Sequence, residues 1–504
     1  VLSRLKQLVV GLIPGGSVGE QAVKSGIWAS LANGLGRALQ FLKLGVLTWL
    51  LSTTEFGLVG FALLTLAALR RVSKLGIEEA LIEHHEDNVD PYLDTAWTLR
   101  VLRGLAIGLV AFLTAPLIAD FFGNPRAEPL IQAMAVLPLL KGLENPGIVY
   151  FRKNLTFHRE FLYRVGKAAT IAVVSIVAAL VLRSAWAFVI GDIVGGVVAL
   201  IISYVIHEHR PRPSLNRGRA SELLGYGKWI TASGLLVFLI NEGDDAFVGW
   251  FLGASALGIY QFSYRFSNAP ATEITHVVSS VAFPAYSKLQ DDIERLRSAF
   301  YQALTLTTVL SFPTAVGIVV IAPTFVATFL PPEWADAALV MQVLALWGLL
   351  RSLGATTGPL FQAVGRPDYA TKIQFGKLLL IAALIYPATE AYGIAGTAAV
   401  IVINSVLFSE PIASYVAVRT VNGSFKRFFR IVGFPAIASI IMGFGVVTVR
   451  ESLSLHDGIL AFAALVIVGV VIYTAAVALQ ELIFGYEAPA VIRSVVATAS
   501  SSDA

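Results

Sequence analysis

The sequence predicts an all-α polytopic membrane protein of fourteen transmembrane helices: two six-helix lobes in parallel repeat plus two C-terminal helices. Three observations predict it. Only 14% of the 504 residues are charged and 56% are hydrophobic, with a mean hydropathy of +0.74; a soluble globular chain is about one-quarter charged. Apolar runs of about the twenty residues that span a bilayer follow one another from Val23 to Leu479, with no polar linker of domain size between them. The basic residues of the connecting segments fall almost wholly on alternate ones. These features exclude a secreted, disordered, fibrous or cytosolic chain.

In order, residues 1–22 hold an apolar run broken by Pro14, Gly15 and Gly16 and read as a cytoplasmic N-terminal segment. No small-residue cleavage site precedes the first long run, which argues against a cleaved signal peptide. Six candidate helices follow at 23–50, 55–80, 93–119, 128–150, 160–182 and 185–207, forming an N-lobe over 23–207. A basic cytoplasmic linker covers 208–222. Six more at 223–251, 255–281, 294–321, 334–361, 367–388 and 391–418 form a C-lobe over 223–418. Helices at 427–448 and 457–481 occupy 419–482, and 483–504 is a cytoplasmic tail. Asn145-Pro146 reads as the start of a break in the fourth helix, and Pro387 to Gly393 as a very short connection.

Charge tests the count. With the N-terminus inside and one crossing per helix, 23 of the 37 bases fall on inward segments, and only Arg126, Arg183 and Arg450 on outward ones. This positive-inside bias predicts a multi-pass cell-membrane protein with both termini cytoplasmic. A missed or extra helix would invert everything beyond it.

The chain also resembles itself. At an offset of 201 residues, Gly26 and Trp28 answer to Gly227 and Trp229, Trp49 to Trp250, and Gly57 to Gly258. Near offset 210, Leu139-Leu140-Lys141 answers to Leu349-Leu350-Arg351. Six helices lie between the copies, so the repeat is parallel and its axis runs along the membrane normal. Transporters built this way carry substrate between the lobes.

Several bases remain at bilayer depth, where a charge costs at least about 2.5–3.5 kcal/mol and faces protein or water. They are Arg37, Lys43, Lys141, Arg265, Arg351 and Lys377. Arg100 and Arg103 share a helix face near the inner surface and are expected to snorkel. The acids at depth include Glu144, Asp192, Asp244 and Asp245. Glu144 and Lys141 could pair simply to hold helices together. The bases as a set predict a cationic inter-lobe cavity for a large anion, with Arg giving a planar fork to phosphate oxygens and Lys a mobile point charge. Asp244, Asp245, Asp192 and Glu144 are candidates for ion coupling or for counterions.

Other chemistry is set aside. There are no cysteines, so neither disulfides nor thiolate sites exist. No Gly-Lys-Ser/Thr phosphate loop is present, and Gly34-Leu35-Gly36 follows no strand. His207-Glu208-His209 and His84-His85-Glu86-Asp87 lack metallopeptidase spacing; the sequon at Asn154 faces the cytoplasm. No cofactor, metal or nucleic-acid partner is expected, and the chain is read as a transporter and not an enzyme.

Three stretches carry a family resemblance: Gly26-Ile27-Trp28 with Thr54-Glu55-Phe56-Gly57, Ala256-Leu257-Gly258-Ile259-Tyr260 with Arg265, and Phe283-Pro284-Ala285-Tyr286-Ser287-Lys288-Leu289-Gln290. With the helix count and basic linker, they make the chain similar to the polysaccharide transporter (O-antigen/exopolysaccharide flippase) branch of the multidrug/oligosaccharidyl-lipid/polysaccharide exporter superfamily. The resemblance covers almost the whole chain. It implies a flippase moving polyprenyl- or dolichyl-pyrophosphate-linked oligosaccharide from the cytoplasmic to the outer leaflet by alternating access. It also implies membrane lipids as surroundings, glycan polymerase or glycosyltransferases as partners, and a monomer. On this chain Arg37, Lys141, Arg265 and Arg351, then Lys377 and Lys43, would face the cargo. A lipid II flippase and a cation-coupled multidrug exporter of the same superfamily are the alternatives. The first would carry more charge on its second helix, and the second an acid-lined cavity.

Overall fold

The computed structural model describes residues 18–73, 77, 81, 89–153, 156–453 and 457–486. The chain up to residue 17, the His84–Asp87 cluster, Asn154 and the tail beyond residue 486 lie outside the described residues. Everything regular among the described residues is helical. In the first half run α1 (Val18–Leu50), α2 (Thr53–Val72), α3 (Asp90–Phe121), α4 (Ala127–Met134), α5 (Val136–Leu143), a 3-10 turn (Pro146–Ile148), α6 (Val149–Lys153), α7 (Phe157–Leu182) and α8 (Trp186–Ile206). Then come α9 (Arg217–Leu252), α10 (Ala254–Leu289), α11 (Ile293–Phe329), α12 (Ala337–Ala363), α13 (Asp368–Asn404), a π turn (Ser405–Ser409), α14 (Glu410–Thr420), α15 (Phe425–Ser452) and α16 (Ile459–Phe484). Eight helical stretches among the described residues are long and apolar enough to cross a membrane by length and composition. The chain divides into two compact units, Val1–Gly258 and Ile259–Ala504, the division falling inside α10.

In the first unit α1 lies along α7, α7 along α8, α3 along α5, and α9 along α2. Hydrocarbon is as apolar as leucine, so such pairs are held by close packing and not by the hydrophobic effect. Glycines set the approach of α3 and α5. A Cβ would come within 2.4 Å of Pro138 O at Gly104, 2.5 Å of Ala135 O at Gly108, and 2.6 Å of Arg100 O at Gly142. Backbone cannot yield as a side-chain tip can. Gly104→Val is therefore expected to drive α3 off α5 and lower the thermal midpoint in detergent by several degrees, whereas Val at Gly34, which has open space around it, leaves the midpoint within a degree or so.

The expected break is present. Glu144 is extended (ψ 147°), Asn145 Oδ1 accepts from Gly147 N at 2.9 Å, and Pro146 opens the 3-10 turn. A helix that ends leaves its last carbonyls without intrahelical partners. Here Lys141 O accepts from Arg100 Nη2 at 2.9 Å, and Leu143 O accepts from Trp97 Nε1 at 3.2 Å and Tyr204 Oη at 3.0 Å.

The segment 207–216 is extended and docked on this unit. Asn145 Nδ2 donates to His209 O at 2.7 Å; Asp94 Oδ1 accepts from Arg212 N at 3.0 Å, and Thr98 Oγ1 from Ser214 N at 2.9 Å. The His207 ring stacks on Tyr150 at 5.9 Å, and its Nδ1 accepts from His209 N at 3.1 Å. Burial, then the neighbouring His209, pushes the His207 pKa below its ordinary value. The sign follows: the neutral ring is favoured when folded, so its contribution is complete above the unfolded value of about 6.5 and is lost as pH falls from there through the lowered folded pKa. Amide protection over 207–214, taken relative to the intrinsic exchange rate at each pH, should fall between pH 7.5 and 5.5, and a His207→Gln chain should lose much of that change.

The second unit is built around Tyr286, Phe300, Tyr301 and Phe361, each no more than 2% exposed. Tyr286 belongs to the Phe283–Gln290 stretch, which thus supplies core. α11 packs on α12 and α15, and α15 on α16; Tyr473 of α16 donates to Val309 O at 2.8 Å. α16 turns Leu460, Ile467 and Leu482 outward, as a lipid-facing helix does. The short connection expected near Pro387 is present: at Gly393 (φ 57°, ψ −142°) the chain turns back, so α13 is two helices folded on each other, with Thr389 paired to Thr397 at 2.7 Å and Asn404 Nδ2 donating to Lys377 O at 3.1 Å.

Candidate functional site

A pocket of about 690 Å³ lies within the first unit. Its basic lining is Arg70 and Arg71 from α2, Arg100 and Arg103 from α3, Lys141 from α5 and Lys167 from α7. Glu144, Asp192 and Glu242 supply the acids. Leu63, Ile107, Leu137 and Ile171 make apolar walls.

The break in the fourth segment creates the centre of this site. It frees Lys141 O for Arg100 and turns Glu144 inward, where it is 1% exposed. Lys141 Nζ donates to Glu144 Oε2 at 2.6 Å and to Tyr163 Oη at 3.2 Å. Arg100 Nη2 lies 3.8 Å from the same carboxylate oxygen. One buried acid thus orients two bases. Arg103 donates through Nε to Ser73 Oγ at 3.3 Å and through Nη2 to Arg70 O at 3.0 Å. A cation at the C-terminal end of α2 also meets the negative end of that helix dipole. Six bases against three acids leave a positive field, and charges shielded from solvent act more strongly than in water.

The residues expected from the sequence divide among several places. Lys141, Glu144 and Asp192 meet in the pocket. Arg37 is half-buried on α1, and Lys43 Nζ sits 5.4 Å over the Phe188 ring; neither lines the pocket. Asp244 and Asp245 are half-buried on α9, but it is Glu242 that reaches the pocket. Arg100 and Arg103, expected near the inner surface, both line the pocket. The side chain of Arg100 is only 10% exposed and turns inward because α5 offers it a carbonyl and a carboxylate. Arg70, Arg71 and Lys167, which the sequence assigned to membrane orientation, also line the cavity.

The second unit holds a separate basic cluster on an aromatic centre. Arg351 donates to Tyr264 Oη and Thr272 Oγ1, both at 3.1 Å, and its guanidinium lies 5.2 Å from the Trp347 ring centre. Lys377 Nζ is 5.5 Å from the same ring. Cation–π contacts let a membrane host charge at a cost below that of bare lipid. Arg265 is half-buried on α10, next in sequence to Tyr264.

The comparison that decides the family covers much of the first unit and runs into the second. A family model described as "Polysaccharide biosynthesis protein" matches residues 46–339. The chain belongs to that family. "Lipopolysaccharide biosynthesis protein WzxC" of Escherichia coli (strain K12) is 27% identical over 422 residues, covering 82% of this chain and 84% of the relative. "Succinoglycan biosynthesis transport protein ExoT" of Rhizobium meliloti (strain 1021) is 24% identical over 461 residues, covering 90% and 92%. A solved structure of "Lipid II flippase MurJ" in an inward closed conformation superposes with a TM-score of 0.69 at 15% identity. It spans 90% of this chain and 98% of that one; at that identity the match shows a shared fold. As a family member with these relatives, the chain is a multi-pass membrane protein of polysaccharide biosynthesis and transport.

Proposed function

We propose that this chain is a flippase that moves a lipid-diphosphate-linked oligosaccharide from the cytoplasmic to the outer leaflet. In this reading it crosses the membrane fourteen times, as two six-helix lobes with α15 and α16 outside the repeat. Both termini lie in the cytoplasm and the chain works as a monomer. The observation that supports the reading most directly is the pocket of Arg70, Arg71, Arg100, Arg103, Lys141 and Lys167 against three acids. A diphosphate diester leaving the lipid surface exchanges its hydration for several charge-assisted donors at once. Each contact is breakable alone, so the cargo can leave. Glu144 acts as a counterion that holds Lys141 and Arg100 in place, and Asp192 as a second. Arg351 and Lys377 on Trp347 offer a further cationic and aromatic surface to cargo, with Arg265, Arg37 and Lys43 as additional contacts and Asp244 and Asp245 as counterions or coupling groups. No bond in the cargo is made or broken.

The test is flipping by the purified chain in lipid vesicles. A fluorescent oligosaccharide on a prenyl diphosphate should cross at least tenfold faster than the same oligosaccharide on an uncharged lipid. Equal rates would refute the role of the basic pocket. Movement of lipid II or of a cationic dye in its place would assign the chain to one of the two alternatives.

A further inference from the structure

A second cavity in the first unit, a groove of about 580 Å³, runs along α8 and shares no lining residue with the basic pocket. Its lining is Leu143, Leu200, Ile201, Tyr204, Val205 and one charged residue, Arg210. Leu200, Ile201, Tyr204 and Val205 fall on one face of α8, since residues four apart lie one above the other. Ile201 is 56% and Val205 78% exposed, so protein does not cover that face. Tyr204 Oη donates to Leu143 O at 3.0 Å, which fixes the ring between α8 and the end of α5.

Arg210 stands just beyond the last turn of α8, which ends at Ile206. Its guanidinium is held by neutral groups. Nη1 donates to His207 O at 2.7 Å and to His209 O at 3.0 Å, and the group lies 5.8 Å from the centre of the Tyr204 ring. Among the described residues no carboxylate pairs with Arg210; Glu208, the acid nearest in sequence, is exposed. Nε and Nη2 form the edge of the fork that these bonds leave over, and such an edge suits two phosphate oxygens. The charge is thus positioned but unmatched, at the end of an apolar groove on a membrane helix. Bases there attract anionic headgroups. A phosphatidylcholine phosphate brings its own quaternary ammonium, whereas a phosphatidylglycerol phosphate needs a cation from elsewhere. The same two carbonyls also accept from Asn145 Nδ2, at 3.4 and 2.7 Å. Whatever holds Arg210 therefore holds the segment 207–210 against the break that shapes the fourth segment.

We propose that this groove is a binding site for an anionic glycerophospholipid, with its phosphate on Arg210 and an acyl chain along Leu200, Ile201 and Val205. The site is separate from the cargo pocket and does not depend on what the chain transports. The chain has no cysteine, so a Val205→Cys variant takes a single bimane label in the groove. In vesicles holding both lipids, quenching by brominated phosphatidylglycerol should exceed quenching by brominated phosphatidylcholine by about fivefold in effective mole fraction, the worth of one base near a lipid surface. A label at Val197→Cys, on α8 but outside the groove, should show no preference. Adding Arg210→Gln should abolish the preference at position 205, and Arg210→Lys should keep most of it. Equal quenching by the two lipids at position 205, or a preference that survives Arg210→Gln, overturns the site. So does farnesyl phosphate relieving the quenching at a lower mole fraction than unbrominated phosphatidylglycerol, which would give the groove to a prenyl chain. A second readout uses the unlabelled chain: amide protection over 207–210 should rise with phosphatidylglycerol, not with phosphatidylcholine, and only while Arg210 is present. Protection indifferent to the lipid would equally overturn the proposal.

Discussion

Lys141→Glu is expected to reduce flipping of the diphosphate-linked cargo at least a hundredfold at unchanged protein level. The change takes the pocket from six bases and three acids to five and four. It also places a new carboxylate beside Glu144, which is 1% exposed and now accepts from Lys141 at 2.6 Å. Two like charges about 4 Å apart at an effective dielectric near 20 repel by about 4 kcal/mol, and each 1.4 kcal/mol is tenfold. The new carboxylate also faces an anionic cargo. Lys141→Ala is milder. It removes one half-exposed cation and one charge-assisted bond, worth about 1.5 kcal/mol at the low end of its range. That raises the apparent KM about tenfold with turnover little altered. Lys141→Arg keeps the charge and should stay within a few-fold of wild type. Concentration-dependent flipping separates the three, and Lys141→Glu working at the native rate would remove the pocket from the mechanism.

The second large effect falls on stability. Glu55 opens α2 in a Ser52-Thr53-Thr54-Glu55 pattern that resembles a capping box. Ser52 does cap, accepting from Glu55 N at 3.4 Å. The carboxylate of Glu55 is used elsewhere: Oε1 pairs with Arg126, and Oε2 accepts from the buried Ala185 N at 2.6 Å. One side chain thus ties together the start of α2 and the loops before α4 and α8. Glu55→Ala leaves a buried N–H without an acceptor, at about 1–3 kcal/mol. The Arg126 side chain is 60% exposed, so losing the ion pair adds at most about 1 kcal/mol. The thermal midpoint should fall by roughly 4–10 °C, at about 2–4 °C per kcal/mol for a unit of this size. Arg126→Ala should cost no more than a few degrees. Glu55→Gln keeps one oxygen for Ala185 N and should fall between them. An Arg126 variant less stable than Glu55→Ala would contradict this order.

The outline of the fold was legible because lipid imposes it. Spans must be apolar, their backbones must be helical, and a proline with a preceding Asn at 145–146 must interrupt them. The connection near Pro387 was legible from its proline and glycine, and the positive φ of Gly393 is where the chain turns back. The site was half legible. Depth alone found Lys141, Glu144 and Asp192. It missed Arg70, Arg71, Arg100, Arg103 and Lys167, because a count of charges along the chain records how near a base lies to the surface and not which way its helix turns it. One signal was present in the sequence: Arg100 and Arg103 flank the α3 face that carries Gly104, and a glycine on a membrane helix marks the side where a neighbour comes close. Bases beside that glycine face protein.

The interrupted segment between α5 and α6 also bears on the order in which the protein is made. Its free carbonyl at Leu143 is met in part by Tyr204, 61 residues later in the chain, and Asn145 takes up backbone of the segment 207–209, later still. When residues 127–153 leave the ribosome, those donors and acceptors have not been synthesised. The segment emerges unfinished, and its backbone is completed only after α8 has been made. The wall of the basic pocket is thus a late product of biosynthesis, assembled after the helices on either side of it are in place.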